Sequence, residues 1–293
     1  MLGRMQIKRL LKRNLRVVSA YRKYMRALRN FRVLTRLLKR VLKFFGLRII
    51  RWDAMDRVIN TGRARAKAEI EFILKMPSAS QEILLQYFGH SRSQIHQDLF
   101  VIQELNFKRN GFFVEFGATN GIDLSNTHLL ETEFNWTGIL AEPARCWHED
   151  IKRNRSSFIE EKCVWVDSTS RLVFNETAEP ELSTIASYSD EGMHSQSRKL
   201  GKEYIVDTIS LIDLLVKYKA PQHIDYLSID TEGSEYSILS SFDFDQFTFG
   251  VITCEHAYLP QRELIYELLT AKGYVRKYPE LSAFDDWYVR RSR

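Results

Sequence analysis

The chain has 293 residues, of which 44% are hydrophobic and 27% charged, so it can form one globular domain with an additional segment. Cys146, Cys163 and Cys254 are widely separated and form neither a CxxC pair nor a metal-binding spacing, which excludes a disulfide framework and predicts reduced thiols in a cytosolic protein. The net charge of +6 is unevenly divided, because residues 1–50 contain 16 Lys or Arg and no acid, whereas residues 51–293 contain 27 basic and 37 acidic residues.

The sequence pattern of residues 1–50 predicts a basic amphipathic helical arm. Its apolar residues recur at the helical period, and Lys and Arg occupy the other faces. Charges interrupt every apolar stretch before it reaches the ~20 residues needed to span a bilayer. We expect the arm to lie on an anionic membrane surface. The alternatives are packing against the protein itself or a second copy, and binding of nucleic-acid phosphates.

Residues 51–92 predict a helical linker. Two helical patterns occupy residues 53–90, and the sequence Met76-Pro77-Ser78 separates them because proline disfavours a continuous helix. The organisation predicted so far is an arm, a linker and a domain that begins near residue 93.

From Gly111 onward, apolar strand patterns alternate with helical patterns. The strands are predicted at residues 112–116, 137–142, 158–165, 224–230 and 249–255, with closing strands near 273–277 and 287–290. Helices are predicted at about 125–135, 144–154, 210–219, 234–241 and 260–272. This alternation predicts an α/β fold with a mostly parallel sheet and helices on both faces. Such sheets bind ligands at the carboxyl ends of their strands.

The turn after the first strand is a candidate cofactor loop. It contains Gly117, Ala118, Asn120 and Gly121, and we expect its glycines to let the backbone approach a ligand closely. Its spacing differs from the GxGxxG pattern that binds a pyrophosphate, which makes a dinucleotide a poor fit.

Acidic residues end four of the predicted strands: Glu115, Glu142, Asp230 and Glu255. Glu142, about 20 residues after the glycine turn and followed by Pro143, is placed to accept both ribose hydroxyls of an adenosine. Asp230 and Glu232 form part of a dense carboxylate group that would suit a cationic cofactor such as a sulfonium. The alternative for that group is a set of solvated acids at a helix start.

The chain resembles the FkbM family of methyltransferases. The resemblance rests on residues 93–98 (Ser-Gln-Ile-His-Gln-Asp), 115–121 with Ser125-Asn126-Thr127, 138–143 and 229–235, which appear in the family's order and cover about residues 93–290. It implies a Rossmann-like class I methyltransferase fold over residues 93–293, S-adenosyl-L-methionine as cofactor and methyl transfer to oxygen, often on sugars or natural products.

The sequence departs from the family pattern at three places. Glu115 stands where the family usually has Asp, so its reach toward the methionine ammonium of the cofactor can differ. His96 stands where Gly or a small residue is common. The basic arm is not part of the family pattern.

The candidate site combines a cofactor set and a catalytic set. The expected cofactor-binding residues are Glu115, Gly117, Ala118, Asn120, Gly121, Glu142, Pro143, Cys163 and Asp230, and the expected catalytic residues are Asp230, Glu232 and His256. A His beyond a strand end can act as a general base, or can be purely structural. No ligand motif requires a metal; the alternative is a divalent ion held by Asp230, Glu255 and His256.

The expected function is S-adenosylmethionine-dependent methylation of a hydroxyl, on a sugar of a glycan, glycolipid or natural product. The alternatives are a nucleic-acid methyltransferase that uses the arm and a catalytically inactive, membrane-associated binding protein. The acidic body and the absence of an Asx-Pro-Pro-aromatic stretch after the fourth strand argue against nucleic acid. A polar stretch at residues 177–202 interrupts the alternation and is expected to be either a substrate lid or a mobile surface loop.

Overall fold

The computed structural model describes residues 67–190 and 194–291. The predicted arm at residues 1–50 and the first part of the predicted linker, residues 51–66, lie outside the described residues, so both remain predictions. Residues 67–75 are helical, and Pro77 separates them from the next helix.

Beyond the helical residues 67–75, helices and strands alternate over residues 112–277 except between residues 158 and 185, where strands follow one another. The helices are α1 (Ser78–Leu85), α2 (Gln97–Glu104), α3 (His128–Phe134), α4 (His148–Asn154), α5 (Ser195–Arg198), α6 (Leu211–Lys217), α7 (Glu235–Ser240) and α8 (Gln261–Ala271). The strands are β1 (Phe112–Phe116), β2 (Thr137–Ala141), β3 (Phe158–Glu160), β4 (Cys163–Trp165), β5 (Arg171–Glu176), β6 (Thr184–Ile185), β7 (Lys202–Ser210), β8 (His223–Ile229), β9 (Thr248–Glu255), β10 (Tyr274–Lys277) and β11 (Asp285–Arg290).

Within the described residues, seven strands form the main sheet in the order β10-β11-β9-β8-β1-β2-β3. The pairs from β3 to β9 are parallel, and β11 and β10 add an antiparallel edge. Strand order reverses at β1, because β2 lies on one side of it and β8 on the other. The predicted mostly parallel α/β sheet is confirmed, and β1 and β8 provide the switch point at which such sheets bind ligands.

Helices cover both faces of this sheet. On one face, apolar residues of α6, α7 and α8 pack with Val114 and Phe116 of β1. On the other face, residues of α2, α3 and α4 pack with Phe113. Alternate residues of one strand therefore enter opposite cores, which is why β1 reads as a continuous apolar run.

A smaller sheet with the order β4-β7-β5-β6 lies beside the main one. The sequence-based strand at 158–165 is wrong as a single element, because β3 pairs with β2 in the main sheet and β4 pairs with β7 in the smaller one. The stretch 177–202 is also not a simple loop, since it contains β6, α5 and two short 3-10 helices.

The segment before α2 contributes to the same core. Phe72, Met76 and Leu84 are buried in the cluster that contains Phe100 and Trp287. The described part of the predicted linker is thus packed onto the domain. None of the helices in the described ranges is long and apolar enough to cross a bilayer.

Candidate functional site

A cavity opens where β1 and β8 end. The loop after β1, the loop after β8, the end of β2 and the insertion between β5 and β7 enclose it. Its lining includes Glu115, Gly117, Thr119, Asn126, Glu142, Pro143, Cys163, Phe174, Leu182, Ile185, Asp230, Glu232, Glu255 and Phe284. The predicted ligand edge of the sheet is therefore also the edge that carries this cavity.

Gly117 allows the loop after β1 to approach the end of β8. Its φ is +71°, and a Cβ there would lie 2.1 Å from the carbonyl oxygen of Asp230. Any side chain would separate β1 from β8, so the glycine is required by the close approach of two backbones. The glycine pattern alone predicted a ligand as the approaching group, whereas the group next to Gly117 is the carbonyl of Asp230.

Glu142 faces the cavity and is 5% exposed. Its Oε2 accepts a hydrogen bond from the backbone N–H of Thr119 at 2.8 Å, and its Oε1 accepts one from Ala144 at 2.8 Å. Burial raises the pKa of this carboxyl to about 7. The two backbone bonds fix the carboxylate plane, and each oxygen keeps a further lone-pair site for a hydroxyl donor.

Among the described residues, three carboxylates converge beyond β8 and β9. Oxygen atoms of Asp230, Glu232 and Glu255 all lie within 4.8 Å of one another. Burial and, as the second cause, the charge of Glu232 raise the pKa of Asp230 to about 8. Burial also raises the pKa of Glu255, to which Asp230 contributes. Such a group suits a cation, either a sulfonium or a divalent metal ion.

The insertion between β5 and β7 is fastened over this carboxylate group. The Nη2 of Arg198 lies 2.5 Å from the Oε2 of Glu232, and the Oγ1 of Thr184 donates to the carbonyl of Glu232 at 2.9 Å. The ring of Tyr188 lies against Gly233, where a Cβ would be 3.0 Å from it. The polar stretch therefore forms one wall of the cavity; its function as a substrate lid stays a prediction.

Glu115 lines the cavity from the end of β1. Its Oε1 accepts from the backbone N–H of Asn126 at 2.6 Å, and its Oε2 accepts from the hydroxyls of Ser125 and Thr127 at 3.0 and 2.5 Å. The Ser-Asn-Thr motif therefore folds back onto the first strand. Although the side chain of Glu is longer than that of Asp, the carboxylate of Glu115 still bonds to this loop.

The motif at residues 93–98 forms the turn into α2. Asp98 is fully buried and accepts from Ser91 Oγ at 2.7 Å, while its N–H donates to Ser93 Oγ at 3.2 Å. His96 has φ of +68°, a conformation that favours glycine, which accounts for the small residue implied by the family pattern. Gln97 lines the cavity and donates to Asp285 at 3.1 Å.

Four predicted site residues do not line the cavity. Ala118 is buried in the apolar core, and Asn120 accepts from the N–H groups of Ile122 and Asp123 within its own loop. Gly121, with φ of +81°, faces away, since a Cβ would lie 2.6 Å from Cγ of Arg155. These residues shape the loop without facing a ligand.

His256 is the fourth. Its Nδ1 accepts from the N–H of Tyr258 at 3.0 Å, and its Nε2 lies 3.9 Å from Oδ1 of Asp286. Burial lowers its pKa, which favours the neutral ring. The structure brings Asp230 and Glu232 together with Glu255, and it leaves His256 in the packing behind β11.

Several lining residues could not be predicted from the sequence. Phe174, Leu182 and Ile185 belong to the smaller sheet and the insertion, and Phe284 precedes β11. The polar residues at 177–202 predicted a segment near the site, but they did not indicate the apolar residues by which this segment lines the cavity. Nothing in the local sequence marks Phe284, because its place depends on the antiparallel strand that follows it.

Residues 115–278, more than half of the chain, match the family model described as the methyltransferase FkbM domain. The chain belongs to the FkbM methyltransferase family. It is accordingly an S-adenosylmethionine-dependent methyltransferase, and the expected family, enzyme class and methyl donor are confirmed.

No curated protein shows significant similarity to this FkbM-family chain. Similar solved structures include the precorrin-6y C5,15-methyltransferase of Geobacter metallireducens GS-15, with 11% identity over 66% of this chain and 84% of that one, at a TM-score of 0.33. A chain of a fibrillarin/Nop5p complex has 11% identity over 69% of this chain and 82% of that one, at a TM-score of 0.34. At TM-scores this low, neither similarity bears on the acceptor or the mechanism.

The cavity fits the methyl donor of the family. Glu142, at the end of β2, offers carboxylate oxygens to a ribose, and Phe174 and Ile185 offer apolar surface to a planar base. The carboxylates of Asp230, Glu232 and Glu255 offer negative charge to a sulfonium. The donor set and the charge of the cavity thus agree with an adenosine that carries a cationic side chain.

Proposed function

We propose that this enzyme methylates a hydroxyl group, on a sugar of a glycan, glycolipid or natural product. The carboxylate cluster of Asp230, Glu232 and Glu255 at the open strand ends supports the proposal. A hydroxyl must lose its proton as it becomes a nucleophile, and buried carboxylates with raised pKa values are suited to accept that proton near neutral pH.

S-adenosylmethionine, when bound, supplies a methyl group that is activated by a sulfonium. Glu142 would hold its ribose, and Glu115 would face its amino-acid end. Asp230 would accept the proton of the acceptor hydroxyl, because the neighbouring Glu232 makes it more basic. The insertion, held to Glu232 by Arg198 and Thr184, would exclude water and align the acceptor in line with the methyl group.

The ribose assignment is tested on Glu142. Glu142→Ala removes both acceptor oxygens, and we expect the dissociation constant of S-adenosylhomocysteine, measured by calorimetry, to rise by at least about tenfold. Glu149→Gln, at an exposed position on α4, is the matched control and should bind as the parent does. Equal affinity in Glu142→Ala and the parent would contradict the placement of the ribose.

The acceptor class is tested by turnover. A panel of glycans, glycolipids, free sugars and RNA is incubated with the enzyme and methyl-labelled donor, and the product is read by mass spectrometry. The proposal expects methyl transfer to a carbohydrate hydroxyl. Transfer to RNA alone would replace it with the nucleic-acid alternative, and donor binding without transfer would favour the inactive binding protein.

The arm and the location of the enzyme belong to the same proposal. We infer a cytoplasmic enzyme whose residues 1–50 contact anionic membrane at its surface, which would bring the site close to a lipid-linked sugar. The support is the arm's 16 basic residues at the helical period and the three widely separated cysteines. Alternatively, the apolar residues that recur along the arm would hold two copies of the chain together.

A further inference from the structure

Arg155, immediately after α4, lies behind the cofactor loop with a side chain that is 1% exposed. Its guanidinium donates to the Gly121 carbonyl at 2.9 Å, to Ser125 Oγ at 3.1 Å and to Thr127 Oγ1 at 2.9 Å. Its Nε and Nη2 both lie 2.9 Å from Oε2 of Glu131. Four of its five N–H groups thus donate hydrogen bonds, and Nη2 also pairs with Glu131, so the guanidinium is committed to this network.

The two hydroxyls that accept from Arg155 are the hydroxyls that donate to Glu115. Nη1 of Arg155 bonds Ser125 Oγ, and Ser125 Oγ donates to Oε2 of Glu115. Nη2 bonds Thr127 Oγ1, which donates to the same oxygen. The guanidinium itself remains 3.8 Å from that carboxylate. Two hydrogen-bonded paths therefore connect the buried guanidinium of Arg155 to the carboxylate of Glu115. The position of the guanidinium thereby fixes the orientation of that carboxylate.

We propose that Arg155 is a positioning residue that acts through Ser125 and Thr127 to aim Glu115 at the ammonium group of the bound cofactor. The hydroxyls occupy Oε2, and Asn126 N–H occupies one site on Oε1, which leaves a lone pair of Oε1 for the ligand. The missing side chain of Gly121 makes room for the stem of Arg155. This inference rests on the proposed placement of S-adenosylmethionine in the cavity.

The test compares two ligands that differ at the amino-acid end, which includes the ammonium. S-adenosylhomocysteine carries it, whereas 5′-methylthioadenosine keeps the adenosine and lacks the amino-acid end. In Arg155→Lys and, separately, in Thr127→Val, we expect the dissociation constant of S-adenosylhomocysteine to rise about tenfold, the loss of one charged hydrogen bond. The dissociation constant of 5′-methylthioadenosine should stay within about twofold. Arg153→Lys, an exposed residue on α4, is the matched control and should change neither.

A general structural role predicts a different result, because a disordered loop would weaken both ligands together. Equal weakening of both, or of neither, would overturn the proposal. Should Arg155→Lys fail to fold, Thr127→Val decides, since it leaves the buried ion pair of Arg155 with Glu131 intact. The double variant should weaken S-adenosylhomocysteine by less than the product of the single effects, because both changes interrupt the same hydrogen-bonded path. Failure of the parent enzyme to bind either ligand would refute the cofactor placement itself.

Discussion

At the residue scale, the proposed ribose contact of Glu142 would make cofactor binding depend on pH. Burial raises its pKa to about 7 in the free protein. In an unfolded chain the group titrates near its ordinary pKa of 4.5, so the folded state binds more protons between these two pH values. The stability of the ligand-free protein should therefore decrease as the pH rises from 4.5 to 7.

The affinity for the cofactor should change in the opposite direction. In the proposed placement, the ribose hydroxyls would donate to the ionised carboxylate, so binding would favour the deprotonated form. We expect the dissociation constant of S-adenosylhomocysteine to fall as the pH rises, and to level off above the free-enzyme pKa of about 7. Calorimetry across this range in the parent and in Glu142→Gln checks it, since the variant has no carboxyl to titrate. An unchanged pH profile in Glu142→Gln would assign the effect to another group.

Asp230 predicts a pH dependence of turnover. Burial and the charge of Glu232 raise its pKa to about 8 in the free enzyme, so the fraction ready to accept a proton grows with pH. We expect kcat/KM to rise to a midpoint near 8 and Asp230→Asn to lower kcat by at least about 10². In Glu232→Gln the midpoint should move to lower pH, because a charge that disfavours ionisation of Asp230 is gone. An unchanged midpoint in Glu232→Gln would show that Asp230 is not the group whose ionisation controls kcat/KM.

The site residues that could be predicted are those fixed by the ends of strands. Glu115, Glu142 and Asp230 follow directly from the rule that parallel strands present their carboxyl ends at one edge. Ala118 and Gly121 could not be placed in the same way, because the orientation of a loop residue depends on what packs behind it. Here that is the apolar core and the stem of Arg155, which comes from a distant part of the chain.

At the element scale, burial decided which strands could be recognised. β1 and β8 are buried on both sides and read as apolar runs, so the main sheet was predicted. β5 and β7 are half exposed, and their antiparallel pairing joins residues 171–176 to 202–207 across the insertion. Partial burial and long-range pairing leave little local signal, and the smaller sheet was missed for that reason.

The contact of the insertion with the loop after β8 predicts an effect on substrate binding. Thr184→Val removes the hydrogen bond from Oγ1 to the Glu232 carbonyl, which stabilises the closed wall by about 1 kcal/mol. We expect the KM of the acceptor to rise about fivefold and limited proteolysis within residues 177–202 to become faster. Thr169→Val, on an exposed turn, removes only a local bond to Asp167 and should change neither measurement. An unchanged KM with faster proteolysis would show that the wall moves without contacting the acceptor.

At the scale of the whole molecule, charge separates the arm from the remainder of the chain. Residues 51–293 carry 37 acidic and 27 basic residues, so this part should be repelled by both polyanions and anionic lipid. Attraction to either must therefore come from residues 1–50. Both attractions weaken with salt, but only a membrane surface also accepts the apolar row of the arm, so the two partners can be distinguished.

Vesicle flotation of the 293-residue chain tests this division. With anionic vesicles we expect the protein to float, and with zwitterionic vesicles to remain below. Moderate salt should weaken binding without abolishing it, because burial of apolar residues is not screened. Reversing the charge of four arm residues, Arg22, Lys23, Arg26 and Arg29, to Glu should abolish flotation while the dissociation constant of S-adenosylhomocysteine is unchanged, since the cavity lies wholly within residues 94–284. If the charge-reversed enzyme floats as the parent does, the arm is not the membrane contact. If the parent binds RNA more tightly than vesicles at the same salt, the arm is better explained as a binding segment for nucleic-acid phosphates.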